Sequence, residues 1–117
     1  MDMRKTVPFE LFEPNQYIYF DILRLAELEK AMGMSIVELV QKQEAGINFC
    51  LTALSIGLKH HYNKATPMFF AEKIEKYLEA GGGINDIAIP IIKAIMLSGI
   101  FGKEITKKVD DDDEKNG

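Results

Sequence analysis

Two adjacent histidines, one cysteine and a run of three glycines are the groups in this sequence that most readily suggest chemistry. His60 and His61 lie together in "KHHYNK". Neighbours on a helix point about 100° apart, so the pair does not converge on a metal as an i, i+4 pair would. No CxxC or HExxH accompanies them. They read as histidines favouring the carbonyl end of a helix, where the peptide dipoles are negative. Cys50 could act as a nucleophile with either histidine as its base. It shares an apolar strip with Ala53 and Gly57, however, and reads as a small core residue. Gly81, Gly82 and Gly83 precede a predicted helix, as a phosphate-cradling loop would. No strand leads into them and no lysine follows at the GxxxxGK[ST] spacing, so a helix stop is the expectation. No catalytic residue, metal ligand or cofactor site is assigned, and an enzyme is not expected.

A fourth group is less obvious. In "LRLAELEKAMGMSIVEL" the helical spacing of Ile22, Leu25, Leu28 and Met32 marks a buried face, and Glu29 falls inside that arc. A carboxylate there must find hydrogen-bond donors. Gly33 supplies the left-handed residue that stops the helix, and Ser35 followed by Glu38 is a capping-box signature for a second, short helix. Glu29 is therefore expected to be partly buried and to accept from the unpaired N–H groups at that restart, with Gly33 and Ser35 as its structural partners.

The elements that position these residues can be read along the chain. "TVPFELF" and "YIYFD" are rich in aromatic and β-branched residues and are separated by the turn formers of "EPNQ". They predict an N-terminal hairpin within residues 1–20, with Pro8 on an edge strand. Asp21 is the expected N-cap of the first helix, and the Ser35 helix follows. A third helix runs from about Gly46 to about His61, with a polar stripe of Asn48, Thr52, Ser55 and Lys59. Thr66 and Pro67 open a fourth, whose core face is Phe70, Ile74, Tyr77 and Leu78 and which ends at "AGGG". The fifth runs from Asn85 or Asp86 to near Gly102. It is apolar almost all round and must be central or covered by a partner. The expected fold is mainly α: an irregular bundle of about five helices with a short N-terminal β-hairpin, in one domain over residues 1–102.

Composition bounds the function. The chain has 117 residues, is 47% hydrophobic, and can bury a core without disulfides or metals. The single cysteine gives no internal disulfide and no sign of an oxidising compartment. No apolar run reaches the ~18 residues of a membrane span, and the N-terminus does not read as a signal peptide. The formal net charge is −4, but five of the eighteen acids fall in "DDDDEKNG". Residues 103–117 are expected to form a disordered acidic tail, leaving a body close to neutral. A broad phosphate-binding surface is not expected.

With these residues laid out, the chain resembles the tail assembly chaperones of long-tailed bacteriophages and of related prophages and gene-transfer agents. The matching stretch is "YIYFDILRLAELEKAMGMSIVEL", above all Leu25, Leu28, Glu29, Gly33 and Ser35. After it come the helix "GINFCLTALSIGLKHH", a loop, and the helix opened by Thr66-Pro67. The resemblance covers roughly residues 16 to 100, and the apolar "IPIIKAIM" helix and acidic tail lie outside its recognisable pattern. It implies a non-enzymatic protein of the bacterial host cytoplasm, absent from the mature virion. Such a protein binds the tape measure protein and keeps its apolar helical segments soluble while the tail tube assembles. The tail tube protein and further copies of the chain itself are candidate partners.

A client-holding protein needs apolar surface that can be covered reversibly. Phe69 shares a helical face with Lys73 and Lys76, away from the expected core stripe, and the face around Ile91 and Ile95 belongs to the surplus of the fifth helix. Phe69, Ile91 and Ile95 are the partner-binding candidates. The alternative is a small regulatory DNA-binding protein using the second and third helices. Against it, the polar stripe of the third helix brings a single cation, Lys59, where recognition helices bring several.

Overall fold

The computed structural model describes residues 1–42 and 46–116. Two short strands, β1 (Val7–Pro8) and β2 (Tyr17–Ile18), pair antiparallel with Val7 opposite Ile18 and Pro8 opposite Tyr17. Asn15 takes a positive φ of 62° in the connection, a conformation asparagine tolerates better than most residues. Among the described residues, six helices follow: α1 (Ile22–Met32), α2 (Ile36–Lys42), α3 (Ile47–Gly57), α4 (Pro67–Glu79), α5 (Asn85–Leu97) and α6 (Lys103–Asn116). Single 3-10 turns cover Met3–Lys5 and Lys59–His61.

Local signals set most of the boundaries. Asp21 caps α1, its carboxylate accepting from the Arg24 N–H at 2.9 Å. Gly33 ends that helix at φ 66°. Thr66 caps α4 through the Phe69 N–H at 3.2 Å, with Pro67 in the first turn. Two expected helices are shorter than their apolar patterns. The third stops at Gly57 and tightens into the 3-10 turn before His61, and the fifth stops at Leu97 rather than near Gly102.

The centre is α3. It packs against α1, α4 and α5, and its Phe49, Cys50, Ala53, Leu54, Ile56 and Gly57 are buried. Its small residues permit a close approach by the hairpin: the Tyr19 N–H donates to the Gly57 carbonyl at 3.0 Å. α5 is flanked by α3, both strands and α6, which accounts for a helix apolar on nearly every side. The core is one cluster, running from Val7 and Phe9 through Phe20, Leu28, Leu54 and Phe70 to Leu97. The radius of gyration, 13.6 Å, is that of a single packed unit of this length.

Four expectations are corrected. Ile22 is 68% exposed, so the buried arc of α1 begins at Leu25 and Glu29 lies at its margin. Leu78 is 40% exposed, because the α4 stripe meets α3 through Phe70 and Ile74. The stretch from residue 103, expected to be disordered, is wound into α6. Val109 on α6 packs against the core, and Thr106 Oγ1 donates to the Met96 carbonyl at 3.4 Å. Gly117, the last residue of that expected tail, lies outside the described residues. The histidines do not serve the end of α3 but clamp β2. The Tyr17 N–H donates to His61 Nε2 at 3.0 Å, and His60 Nε2 donates to the Tyr17 carbonyl at 3.0 Å.

Candidate partner-binding groove

The sequence candidates are dispersed by the fold. Ile91 is 0% exposed and Ile95 is 1% exposed, both inside the core, so neither offers the surface expected of it. The surplus of α5 is absorbed by the strands and by α6. What remains outside on that helix is Ile89, 65% exposed. Phe69 is half-buried. Its ring meets Tyr62 edge-on at 5.0 Å and Phe70 at 5.1 Å between centroids.

Phe69 belongs to an aromatic cluster that sequence reasoning did not assemble. Phe9 and Phe12 from the hairpin loop, Tyr62 from the α3–α4 loop, and Phe69 and Phe70 from α4 contact one another edge to face or tilted. Such arrangements align ring edges with ring faces and add to the burial term. The Tyr62 hydroxyl donates to Gln16 Oε1 at 2.9 Å, tying the cluster back to the hairpin. Lys73 rests its ammonium over three of these rings, 5.1 Å from Phe69, 5.7 Å from Tyr62 and 5.9 Å from Phe12. Those distances are within cation–π range.

Beside this cluster lies a groove of about 250 Å³, lined by Leu11, Phe12, Lys73, Lys76, Tyr77 and Ala80. One wall is the hairpin loop and the other is the outer face of α4. Leu11 is 37% exposed at its rim. Tyr77 is held by its hydroxyl, which donates to Asp86 Oδ2 at 2.7 Å, and the same oxygen accepts the Gly83 N–H at 3.0 Å. The glycine run is therefore a helix stop whose loop is pinned by Asp86 and packed under the Tyr77 ring. Lys73 and Lys76 sharing a face with Phe69 was legible in the sequence. Leu11 and Phe12, about sixty positions away, carried no signal that they would complete the groove.

The other reactive groups are tied up. Cys50 is fully buried, and desolvation pushes its thiol up to about 11. His60 Nδ1 lies 2.9 Å from an Arg24 guanidinium nitrogen, which can only donate, so His60 is the neutral tautomer with its proton on Nε2. Burial, together with the neighbouring His61 and Arg24, lowers its pKa to about 4. Among the described residues, no group of three or more metal-ligating side chains converges. No helix is long and apolar enough to cross a membrane among those residues. Lys59, the cation of the α3 polar stripe, is salt-bridged to Glu27 at 2.7 Å. Compared with protein-family models, curated proteins and solved structures, the chain returns no match.

Proposed function

We propose that the protein is a tail assembly chaperone of a phage or prophage, holding helical segments of the tape measure protein soluble while the tail tube forms. It would do so in the host cytoplasm, without enzymatic activity, and would be absent from the finished particle. The observation that carries the reading is the aromatic-walled groove between the hairpin loop and α4. Leu11, Phe12, Tyr77 and Ala80 give it an apolar lining at the surface. Its size is below the roughly 300–1,000 Å³ of small-molecule sites, which suits one or two side chains projecting from a partner helix. The tail tube protein and additional copies of the chain are secondary partners under the same reading.

The test is co-expression with the long helical protein encoded beside a tail tube gene, followed by pull-down. Binding should persist in high salt, because apolar contacts are not screened as phosphate contacts are. Ala80→Trp, which fills the groove from an exposed position, should abolish capture while stability stays within about 0.5 kcal/mol. Capture of DNA without a protein client would overturn the proposal.

A further inference from the structure

We infer that the groove selects an acidic amphipathic helix: one apolar anchor side chain with carboxylates beside it on the same face. This rests on the helical-client reading and specifies the client's chemistry. The argument is charge complementarity. Among the described residues, two cations, Lys73 and Lys76, line the groove and no carboxylate does. Among the described residues, neither lysine is ion-paired. Glu72 and Glu79 stand one helical turn on either side of Lys76 and are exposed, but neither is ion-paired with it. The acids of the hairpin loop are engaged within the loop: Glu10 Oε1 accepts the Asn15 N–H at 3.2 Å, and Glu13 Oε2 accepts from Gln16 Nε2 at 2.9 Å and lies 3.1 Å from the Tyr62 hydroxyl.

The lysines are also suitably placed. At i and i+3 on α4 their side chains rise from the same face about one helical turn apart. A partner helix offers carboxylates at the same interval. Lys73 is held over Phe12, Tyr62 and Phe69 rather than sweeping through solvent, so part of its ordering cost precedes binding. An apolar anchor would enter between Leu11, Tyr77 and Ala80, and its flanking carboxylates would meet the two ammonium groups at the rim.

The probes are two synthetic amphipathic helical peptides of equal length and identical apolar stripe, one with Glu flanking the stripe and the other with Gln. Binding to the full chain is measured by fluorescence anisotropy at low and high salt. The Glu peptide should bind about fivefold more tightly at low salt, the size expected of two exposed ion pairs. The advantage should vanish at high salt and in the Lys73→Gln/Lys76→Gln variant, which should bind the two peptides with equal affinity. Equal binding of both peptides at low salt would overturn the acidic preference and leave the chaperone reading to its own pull-down. Binding of neither peptide would overturn the groove as a docking site. Binding only after removal of residues 111–117 would identify the occupant as this chain's own acidic end, which also overturns the inference.

Discussion

At the scale of single residues, Glu29 does two jobs at one break in the chain. Its carbonyl accepts the N–H groups of Gly33 at 2.8 Å and Met34 at 3.3 Å, closing α1. Its carboxylate reaches forward to the Ile36 N–H at 2.8 Å, opening α2. Ser35 supplies a second cap, its hydroxyl accepting from the Glu38 N–H at 3.1 Å. Glu29→Ala leaves the Ile36 donor unpaired at a half-buried position. It should destabilise the fold by about 1–2 kcal/mol in urea titration. A loss below about 0.5 kcal/mol would mark Glu29 as a solvated side chain with no capping role. His60 makes a prediction of a different kind. Its pKa is about 4 in the folded protein against 6.5 for a free histidine. Below pH 6.5 the unfolded chain takes up a proton that the folded chain refuses, so the stability His60 contributes is complete above 6.5 and drains away toward pH 4. The urea midpoint should fall between about pH 7 and pH 5, before most carboxylates titrate, and His60→Gln should flatten the slope.

At the scale of elements, the hairpin lies close against the end of α3. A Cβ placed on Gly57 would come within 2.9 Å of Ile18 Cγ2 and 3.0 Å of Phe20 Cε2. Both neighbours are fully buried and have no room to retreat. Gly57→Ala should therefore destabilise by about 1–3 kcal/mol despite the gain in helix propensity, as overpacking does. A stabilised variant would mean that the hairpin floats on α3. This junction also shows where sequence reading stops. Caps and breakers are local, so Asp21, Gly33, Ser35, Thr66 and Pro67 announced their helix ends correctly. The strip of Cys50, Ala53 and Gly57 announced a close approach without naming what approaches. The histidine clamp joins Tyr17 to residues 43 and 44 positions away, a pairing no periodicity encodes. α6 was hidden for another reason. Its charge suggested disorder, while a single i, i+4 register of Ile105 and Val109 was too slight to argue against it. The groove is harder still, because its two walls lie about sixty positions apart in sequence and only the α4 wall has a pattern.

At the scale of the whole molecule, α6 is a peripheral helix held against α5. Val109 and the Thr106 hydroxyl touch the body, while Lys103, Glu104 and Lys107 face water. Truncation after Asp110 should leave the thermal midpoint nearly unchanged, whereas truncation after Gly102 should cost about 1 kcal/mol, the contribution of a partly buried valine. Equal midpoints for both would show that the helix does not dock. At the opposite extreme of protection is Cys50, in the middle of α3, at 0% exposure and with its thiol pushed up to about 11. As the single cysteine of the chain it is also a built-in clock. A thiol reagent can reach it only when α3 is uncovered, and α3 is held by three helices at once. The rate of labelling under native conditions therefore counts openings of the entire core, slowing or quickening about tenfold for each 1.4 kcal/mol. No dye or tag has to be added to follow them.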